Sequence, residues 1–593
     1  EFDARTSQPL RDRLVEGVQT KGVHGALSPD AALTRILKGT GFEMRRDASG
    51  AIAIVRAEAN NIQLEPSLQI AQASPARQSV ETVTVTSSKL GGAAVQSIPI
   101  AITALSQEQL TSTQTAGGPD LIKQVPNLTF TKTNFTGYNI QIRGIGTQAI
   151  SVTTDPAVAV SFNDVPFIRN HFFEQEFFDV SQVEVLRGPQ GTLYGRNATA
   201  GVVNLISAKP TDRWEAQASV DVGNYNNRRM EGMLNAPLID DKLDLRVAGE
   251  WTKRDGYAFN DITQKALDGR DLWTSRVSLL VHPVSNPTGT FIYEHFQEND
   301  NRARSTKQLC ARSNAPSSVD GPAGPQIPDI QPYYLGGNLG LPWLSQGCSP
   351  VSLYSPQSYQ TPVAGAAPFF APFAIFNTDY LPTEKWTNPY SNVTQPHDLR
   401  VVSSQYDPTY RAKNDTFEFN VDYSIAPELT LASQTAYSKD FLYSTEDFNR
   451  FNTPEDFLED RIQNGGYAGN GTFVGQDNQF CDPQFGCSSR WLSVDRSSET
   501  ARQFYQELRL SSSFTGNLNF VAGANYTNYQ TSEDYYIFSN LLTLLAMHQG
   551  NVVLGGGTPG VDALHIPFDA SIANSCNPPP ADPSNVPNPF FGG

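Results

Sequence analysis

The sequence predicts a small α+β unit, then a compact α+β domain, then about nine strands of an antiparallel transmembrane β-barrel. Three observations support this fold class. A helix-forming segment followed by a hairpin pattern opens the chain, and a glycine-rich segment of short apolar runs occupies residues 183–210. Windows in which polar and apolar residues alternate strictly fill much of the remainder, as expected for strands with one polar face.

Residues 1–57 are predicted to form the small α+β unit. Ser28 is a suitable N-cap for a helix whose apolar stripe ends before Gly39. Residues 42–55 then alternate as a hairpin that turns near residues 47–50. A helix packed on a hairpin is therefore expected here.

Residues 58–89 are predicted to be a linker, because residues 58–80 are rich in Ala, Gln, Ser and Pro and lack periodicity. The linker contains ETVTVTSS at residues 81–88, where β-branched Val and Thr alternate. Such a segment can add as a strand to the sheet edge of another protein. The predicted partner-binding residues are Glu81, Thr82, Val83, Thr84, Val85 and Thr86.

Residues 90–210 are predicted to be the compact domain. SIPIAITALSQEQL indicates a strand followed by a helix that Ser106 caps. The rest alternates short apolar runs with Gly, Asn and Pro turns. We expect four glycines to serve tight turns: Gly144, Gly188, Gly191 and Gly195.

Residues 211–593 are predicted to hold the barrel strands and their loops. In LDLRVAGEW, Leu243 and Leu245 share one face while Asp244 and Arg246 share the other. A soluble sandwich would alternate in the same way. It would not, however, have short turns at one end of its strands and mostly long loops at the other, as is predicted here. The nine candidate strands are 214–222, 228–236, 242–252, 272–282, 288–297, 413–424, 428–438, 501–512 and 517–528.

Composition excludes several other classes of protein. The net charge of −17 disfavours nucleic-acid binding, and no run of about 18 apolar residues predicts a transmembrane helix. No catalytic, metal or cofactor motif is present in the sequence, so we expect neither an enzyme nor a bound cofactor. The cysteines lie in polar loops and suit disulfides, with Cys310–Cys348 and Cys481–Cys487 as plausible pairs and Cys576 left over.

Three ordered segments resemble the plug domain of TonB-dependent outer-membrane receptors. They are QIRGIG at 141–146, DPAVAVSFNDVPF at 155–167 and VEVLRGPQGTLYGRNATAGVVNLISAKP at 183–210. Residues 1–57 resemble the second half of the secretin and TonB short N-terminal domain, and residues 81–88 resemble a TonB box.

The resemblance implies an α+β plug domain inside an antiparallel barrel of 22 strands in the outer membrane of a Gram-negative bacterium. Nine strands cannot close such a barrel, so we expect the chain to be a fragment of a receptor. No signal segment opens the chain, so its start is expected to be mature, trimmed or incomplete.

The resemblance also implies a plug–barrel lock made by Arg143 and Arg187. Buried arginines need carboxylate partners. Glu507 is the leading candidate because alternation places it on the lumen face beside Tyr505 and Arg509, and Glu418 is the second. The alternative for either glutamate is an ordinary hydrated lumen residue.

Ligand contacts are expected from the plug apex and the outer loops. Residues 147–154 are one candidate apex, and aromatic residues of the loop 298–412 could line the mouth: Tyr333, Tyr334, Phe369 and Phe370. His171 lies among aromatic residues, where packing is a better interpretation than metal binding.

The function that the resemblance implies is uptake of a scarce nutrient, with a ferric siderophore favoured over a carbohydrate or cobalamin. The implied partners are the TonB–ExbB–ExbD energy-coupling complex, outer-membrane lipid and a periplasmic anti-sigma regulator. Three alternatives stay open: a transducer that regulates gene expression through residues 1–57, an adhesin or passive channel, and a non-functional receptor fragment.

Overall fold

The computed structural model describes two compact units, Glu1–Glu81 and Thr82–Gly593. The described residues are 29–38, 40, 42–46, 52–56, 84–85, 93–94, 98–132, 137–148, 154–168, 173–282, 286–304, 306–313, 319–321, 324–327, 347–362, 389–390, 392–458, 479–516 and 518–543. Among them, no helix is long and apolar enough to cross a membrane.

The first unit contains the predicted helix and hairpin. Helix α1 is Pro29–Leu37, and strands β1 (Phe42–Arg46) and β2 (Ile52–Arg56) pair antiparallel. The helix begins at a proline, which is favourable there because the first turn has no intrahelical acceptor for its N–H. The predicted cap Ser28 and the predicted turn at 47–50 lie outside the described residues.

The second unit begins with the plug domain. Its helices are α2 (Gln107–Ser112), α3 (Gly191–Tyr194) and a 3-10 helix at Gly118–Lys123. Its strands in chain order are β3 (Thr84–Val85), β4 (Ala93–Ala94), β5 (Ala101–Ser106), β6 (Leu128–Lys132), β7 (Tyr138–Ile142), β8 (Ile145–Gly146), β9 (Val158–Phe162), β10 (Val165–Phe167), β11 (Val180–Arg187) and β12 (Gly201–Ser207).

The plug is built around a five-stranded sheet in the order β10-β9-β12-β11-β5, in which only the β12–β9 pair is parallel. The predicted strand and capped helix occur in sequence as β5 and α2. Ser106 Oγ accepts from the backbone N–H of Gln109, and Gln109 Oε1 accepts from the backbone N–H of Ser106. The predicted Ser106 cap is therefore confirmed, and the Gln109 side chain completes a capping box that was not predicted.

The remaining strands belong to the barrel and its loops. In chain order they are β13 (Glu215–Gly223), β14 (Asn227–Ile239), β15 (Leu243–Arg254), β16 (Ala258–Asn260), β17 (Lys265–Leu267), β18 (Arg270–Val281), β19 (Thr288–Asp300), β20 (Ala311–Arg312), β21 (Val319–Gly321), β22 (Gly324–Ile327), β23 (Cys348–Ser349), β24 (Val401–Val402), β25 (Thr409–Ala426), β26 (Leu429–Asp447), β27 (Phe480–Asp482), β28 (Gly486–Ser488), β29 (Ser493–Ser512) and β30 (Val521–Ser539). A 3-10 helix also lies at Pro356–Ser358.

Nine of these strands form one antiparallel sheet, here called the barrel wall, in the order β13-β14-β15-β18-β19-β25-β26-β29-β30. The nine strands predicted from alternation all occur, and several are longer than expected. The segment predicted at 428–438 extends to Asp447, because β29 continues to pair with β26 beyond the apolar window. Backbone hydrogen bonding does not depend on the alternation of polar and apolar residues. The strands of the barrel wall can therefore extend beyond the predicted windows.

In the barrel wall, polar side chains are buried and apolar side chains are exposed, which is the reverse of a soluble sheet. Charged side chains such as Arg246, Glu250 and Arg276 are buried on the face that the plug covers. Large apolar side chains on the other face, such as Phe419 and Leu508, are about half exposed at 51% and 52%. An apolar outer face with a polar inner face is the pattern of a transmembrane barrel, so the soluble-sandwich alternative is not supported.

The plug packs directly on the inner face of the wall. Three wall residues, Ile292, Ala436 and Tyr505, belong to the same buried apolar cluster as plug residues such as Ile142 and Val160. Two disulfides in the outer loops confirm the pairs suggested by sequence proximity, Cys310–Cys348 and Cys481–Cys487. Cys576 lies outside the described residues.

Candidate functional site

The plug contacts the barrel wall through a short segment at residues 173–179, here called the acidic segment. Its sequence is FEQEFFD, and the rings of Phe173, Phe177 and Phe178 are buried. With the aromatic side chains anchored, the carboxylates of Glu174, Glu176 and Asp179 each bond to side chains of the wall or of its loops. The acidic segment therefore places three plug carboxylates against the barrel.

Asp179 makes a two-point contact with Arg246 of β15. Arg246 Nε donates to the two carboxylate oxygens of Asp179 at 2.9 and 3.2 Å, and both side chains are about nine-tenths buried. Arg276 of β18 donates to the backbone oxygen of Asp179 at 2.9 Å and to Glu294 at 2.7 Å. The planar guanidinium suits such forked contacts, so this point of the interface is strongly directional.

Glu176 joins a second group of wall residues. It accepts from Arg229 Nε at 3.1 Å and from Thr252 Oγ1 at 2.8 Å. Arg229 also donates to Glu250 at 2.9 Å and contacts Glu231. One arginine thus neutralises a plug carboxylate while it also bonds to two carboxylates of the wall.

Glu174 lies in a third, almost fully buried group. Its carboxylate contacts Lys132 of β6 at 2.5 Å and Arg302, just beyond β19, at 2.9 Å. Burial alone would raise the pKa of Glu174, but Arg302 and Lys132 outweigh it and hold the pKa at about 2. Arg302 also bonds to Glu298 at 3.2 Å and lies over the ring of Tyr410, with 3.8 Å between its guanidinium carbon and the ring centroid.

The plug–wall interface thus contains three groups of buried ion pairs. Buried ion pairs need good geometry because desolvation of each charge opposes them, and loss of one partner leaves an uncompensated charge. Such contacts hold the plug in one orientation, yet they can exchange for water if the plug moves. The arrangement can therefore hold the plug firmly and also allow it to be released.

The predicted lock residues are not members of these three groups. Among the described residues, no ion pair joins Arg143 or Arg187 to Glu507 or Glu418. Glu507 accepts from Tyr505 and Arg509, each at 2.5 Å, and both are its neighbours on β29 as predicted.

Glu418 instead bonds to the plug through a neutral group, since Asn163 Nδ2 donates to it at 3.1 Å. Arg187 Nε is buried without a hydrogen-bond partner. Arg143 lies in a tight turn at φ 56°, and its Nη1 is 3.7 Å from where a β-carbon on Gly188 would stand. The two predicted motifs therefore meet each other, and their pairing with the barrel glutamates stays a prediction.

Three of the four predicted turn glycines have positive φ angles. The values are 77° for Gly144, 115° for Gly188 and 74° for Gly195. A side chain at these φ angles would be strained, which is the reason glycine suits them. Gly191 is the first residue of α3 and has open space where a β-carbon would lie.

Of the predicted partner-binding strand, the structure describes Thr84 and Val85. They form β3 and pair with Ala94 and Ala93 of β4. Val85 is fully buried in an apolar cluster that includes Ile102. In this structure the segment is thus held by its own chain, while Glu81, Thr82, Val83 and Thr86 lie outside the described residues.

The predicted ligand contacts are mostly outside the described residues. Of the candidate apex at 147–154, only residues 147, 148 and 154 are described. His171 and the four loop aromatics, Tyr333, Tyr334, Phe369 and Phe370, are not described. Within the described part of the chain, no group of three or more His, Cys, Asp or Glu side chains is placed to hold a metal ion.

Sequence reasoning missed the acidic segment as a functional element. The available signal was the pattern E-x-E-F-F-D inside a domain expected to fill a barrel lumen, because acids beside aromatic anchors need cationic partners there. The arginines of the wall were visible as polar positions in alternating strands, but their partners could not be assigned from periodicity.

Comparisons with known proteins match two segments of the chain. The family model described as the TonB-dependent receptor plug domain matches residues 94–202. The model described as the secretin and TonB N terminus short domain matches residues 10–57.

Two curated relatives match over part of the chain. The iron-regulated outer membrane virulence protein of Vibrio cholerae is 30% identical over 192 residues, which cover 31% of this chain and 29% of the relative. The pesticin receptor of Yersinia pestis is 28% identical over 220 residues, which cover 37% of this chain and 32% of the relative. The matched part thus spans about a third of the length of either relative.

Two solved structures are also similar. The ferric yersiniabactin uptake receptor of Yersinia pestis has a TM-score of 0.40 at 14% identity, with 74% of this chain and 62% of that chain covered. The ferripyoverdine receptor of Pseudomonas aeruginosa has a TM-score of 0.48 at 12% identity, with 87% of this chain and 52% of that chain covered. The two domain matches occur in the order predicted, so the chain carries a segment similar to the secretin and TonB N terminus short domain followed by one similar to the TonB-dependent receptor plug domain.

Proposed function

We propose that this chain is the plug-bearing part of an outer-membrane transporter that binds a ferric siderophore outside a Gram-negative cell and admits it by rearrangement of the plug. The TonB–ExbB–ExbD complex would supply the energy through the predicted TonB box. Relatives named an iron-regulated outer membrane protein and a ferric-pyoverdine receptor favour an iron chelate as the cargo.

The observation that carries this proposal is the docking of the acidic segment on the barrel wall. Import requires a plug that closes the lumen at rest and moves when it is driven. The three carboxylates of Glu174, Glu176 and Asp179 hold the plug through directional bonds, in addition to the apolar contacts of the three wall residues that join the plug core. Directional bonds break over a short displacement. A pulling force on the segment that precedes the plug in the chain can therefore break them.

The position of β3 supports the same proposal. A TonB box must be available as an extended strand, and Thr84 and Val85 already have that conformation. Only two residue pairs join β3 to β4, so exchange of β4 for a partner strand breaks few backbone bonds. Burial of Val85 keeps the segment on the plug until the plug rearranges.

Uptake of radioactive iron tests the proposal in the host from which the gene is deleted. The complemented strain is expected to take up ⁵⁵Fe bound to a siderophore, and the Val85→Pro variant is expected to fail, because proline removes a strand donor. Gln78→Pro, in the predicted linker, is the matched control and should transport normally. Equal uptake by the deletion strain and the complemented strain would contradict iron transport, and labelled cobalamin and oligosaccharides would then be tested.

The N-terminal match favours a second function, regulation of gene expression through contact with a periplasmic anti-sigma regulator. Deletion of residues 1–57 should then abolish ligand-dependent transcription and leave uptake unchanged. If transcription responds to ligand without these residues, the regulatory function is wrong.

A further inference from the structure

The outer loops enclose a cavity of about 210 Å³ that is separate from the acidic segment. It is formed by the loops that follow β15, β19 and β26 and by the segment that precedes β25. None of the residues that line it belongs to the plug domain. The cavity is here called the outer-loop cavity, and its principal polar lining residues are Lys307, Asp447, Arg450 and Asn452.

The carboxylates of the outer-loop cavity already have donors. Asp447 accepts from Ser404 Oγ at 2.6 Å and from the backbone N–H groups of Asn449 and Arg450 at 3.0 and 3.2 Å. Glu446 accepts from the backbone N–H of Arg304 at 3.1 Å. The acceptor side of the cavity is therefore satisfied by the protein itself.

The donors of the cavity are not all satisfied. Arg450 Nε and Asn452 Nδ2 are buried and have no hydrogen-bond partner, and they are the only such atoms among the described lining residues. The guanidinium of Arg450 forms no ion pair with any described residue. Its backbone is held in the left-handed region at φ 58°, a costly conformation that tends to mark functional positions.

A second cation stands at the same cavity. Lys307 donates to the backbone oxygen of Asp398 at 2.8 Å and to that of Pro396, so neutral carbonyls fix its position. Burial lowers the pKa of Lys307 to about 8, which leaves the amine mostly charged at neutral pH.

The remaining lining is partly polar, with further Ser, Thr, Gln and Arg side chains, and partly apolar. The apolar part includes Ile262, Leu267, Val402 and Phe451. Phe451 contacts Tyr390 edge to face, with 5.9 Å between the ring centroids. Apolar side chains and unsatisfied donors in one cavity suit a ligand with an apolar body and an oxygen-bearing head.

We propose that the outer-loop cavity binds a compact organic acid, with its carboxylate on Arg450 and Asn452 and its apolar body against Phe451 and Val402. The volume is below the range typical of sites for drug-sized ligands, so a single ring or a short chain is the appropriate size. This site lies outside the plug, and it does not depend on the proposed iron transport.

Titration of the purified chain in detergent micelles with sodium benzoate tests the proposal, with ligand-observed NMR as the readout. Saturable binding is expected for the unchanged protein, with at least a tenfold weaker affinity for Arg450→Gln. Arg411→Gln is the matched control, since Arg411 lies on the outer face of β25 and donates to Asn299. Benzyl alcohol, which keeps the ring and lacks the charge, should bind at least tenfold more weakly than benzoate.

A second variant separates loss of the site from loss of the fold. Val402→Phe fills the cavity and leaves Arg450 in place, so it should also abolish benzoate binding while the near-UV circular dichroism is retained. Binding that is absent in the unchanged protein, or that is equal in Arg450→Gln and Arg411→Gln, would overturn the proposal.

Discussion

Single residues determine how the plug is held in this protein. Asp179 has a positive φ of 46°, a conformation that Asp and Asn tolerate better than other side chains. That backbone geometry accompanies the two-point contact with Arg246. One residue thus combines a turn with an ion pair.

Asp179→Asn, which replaces one carboxylate oxygen by an amide nitrogen, tests the contact with Arg246. The change keeps the shape and the turn but removes the nearer counter-ion of the buried Arg246, which then keeps only its 3.7 Å contact with Glu215. We expect the plug to be destabilised by about 3 kcal/mol, the usual cost of breaking a buried pair, and to become more sensitive to protease. Asp271→Asn is the control, because its pair with Lys253 at 2.7 Å is exposed and should contribute less than about 1 kcal/mol.

Glu174 predicts a pH dependence of the same interface. Its pKa is lowered from 4.5 to about 2 in the folded protein, so its contribution to stability is complete above pH 4.5 and is lost as the pH falls toward 2. Thermal unfolding between pH 2 and pH 6 is expected to show this loss. Glu174→Gln should be less stable at pH 6 and should have a flatter profile; an unchanged slope would show that other groups control it.

At the scale of elements, the two-residue strand β3 is held by few backbone pairings. Two pairings with β4 and the burial of Val85 hold it, whereas β11 pairs with a strand on each side. A short strand of this kind can be exchanged without unfolding the five-stranded sheet. Its predicted role as a partner-binding segment therefore requires mobility of β3 and not of the whole plug.

A reversible cross-link tests whether β3 must leave β4. Thr84 and Ala94 are direct partners, so Thr84→Cys with Ala94→Cys places two thiols opposite each other. Uptake of ligand should stop when the disulfide forms and should recover with a reductant. The single Thr84→Cys variant is the control, and transport that continues through the oxidised double variant would contradict release of β3.

At the scale of the whole molecule, the barrel wall is stable because its two faces have different surroundings. The inner face buries charges against the plug, and the outer face exposes apolar side chains. In water this distribution would be unfavourable on both sides. It is favourable when lipid covers the outer face and a protein plug fills the interior.

Phe419→Arg tests the orientation of the wall. Phe419 is on the outer face of β25, and a charge there should cost about 2–4 kcal/mol if lipid covers it. Refolding into lipid vesicles, followed by urea unfolding, would measure the loss. Tyr354→Arg is the control, since Tyr354 is 91% exposed in an outer loop and should tolerate the charge. Equal stability of both variants would argue against lipid contact at Phe419.

The sequence by itself determined the elements whose signals are local. Alternation located nine strands because each strand presents one face to the plug and one to lipid, and this requirement repeats at every second residue. The Ser106 cap and two disulfides could also be predicted, since the cap is local and each disulfide joins two cysteines of one loop.

Only the tertiary structure decided which charges meet. Alternation placed Glu507 on the inner face correctly, but the cation it contacts among the described residues is Arg509 of the same strand. The plug–wall ion pairs that do form, such as Asp179 with Arg246, join residues 67 positions apart, and Glu174 and Arg302 are separated by 128. Periodicity states which face a residue occupies, whereas pairing depends on the height and rotation of the plug against the wall, and these are set by packing of the whole domain.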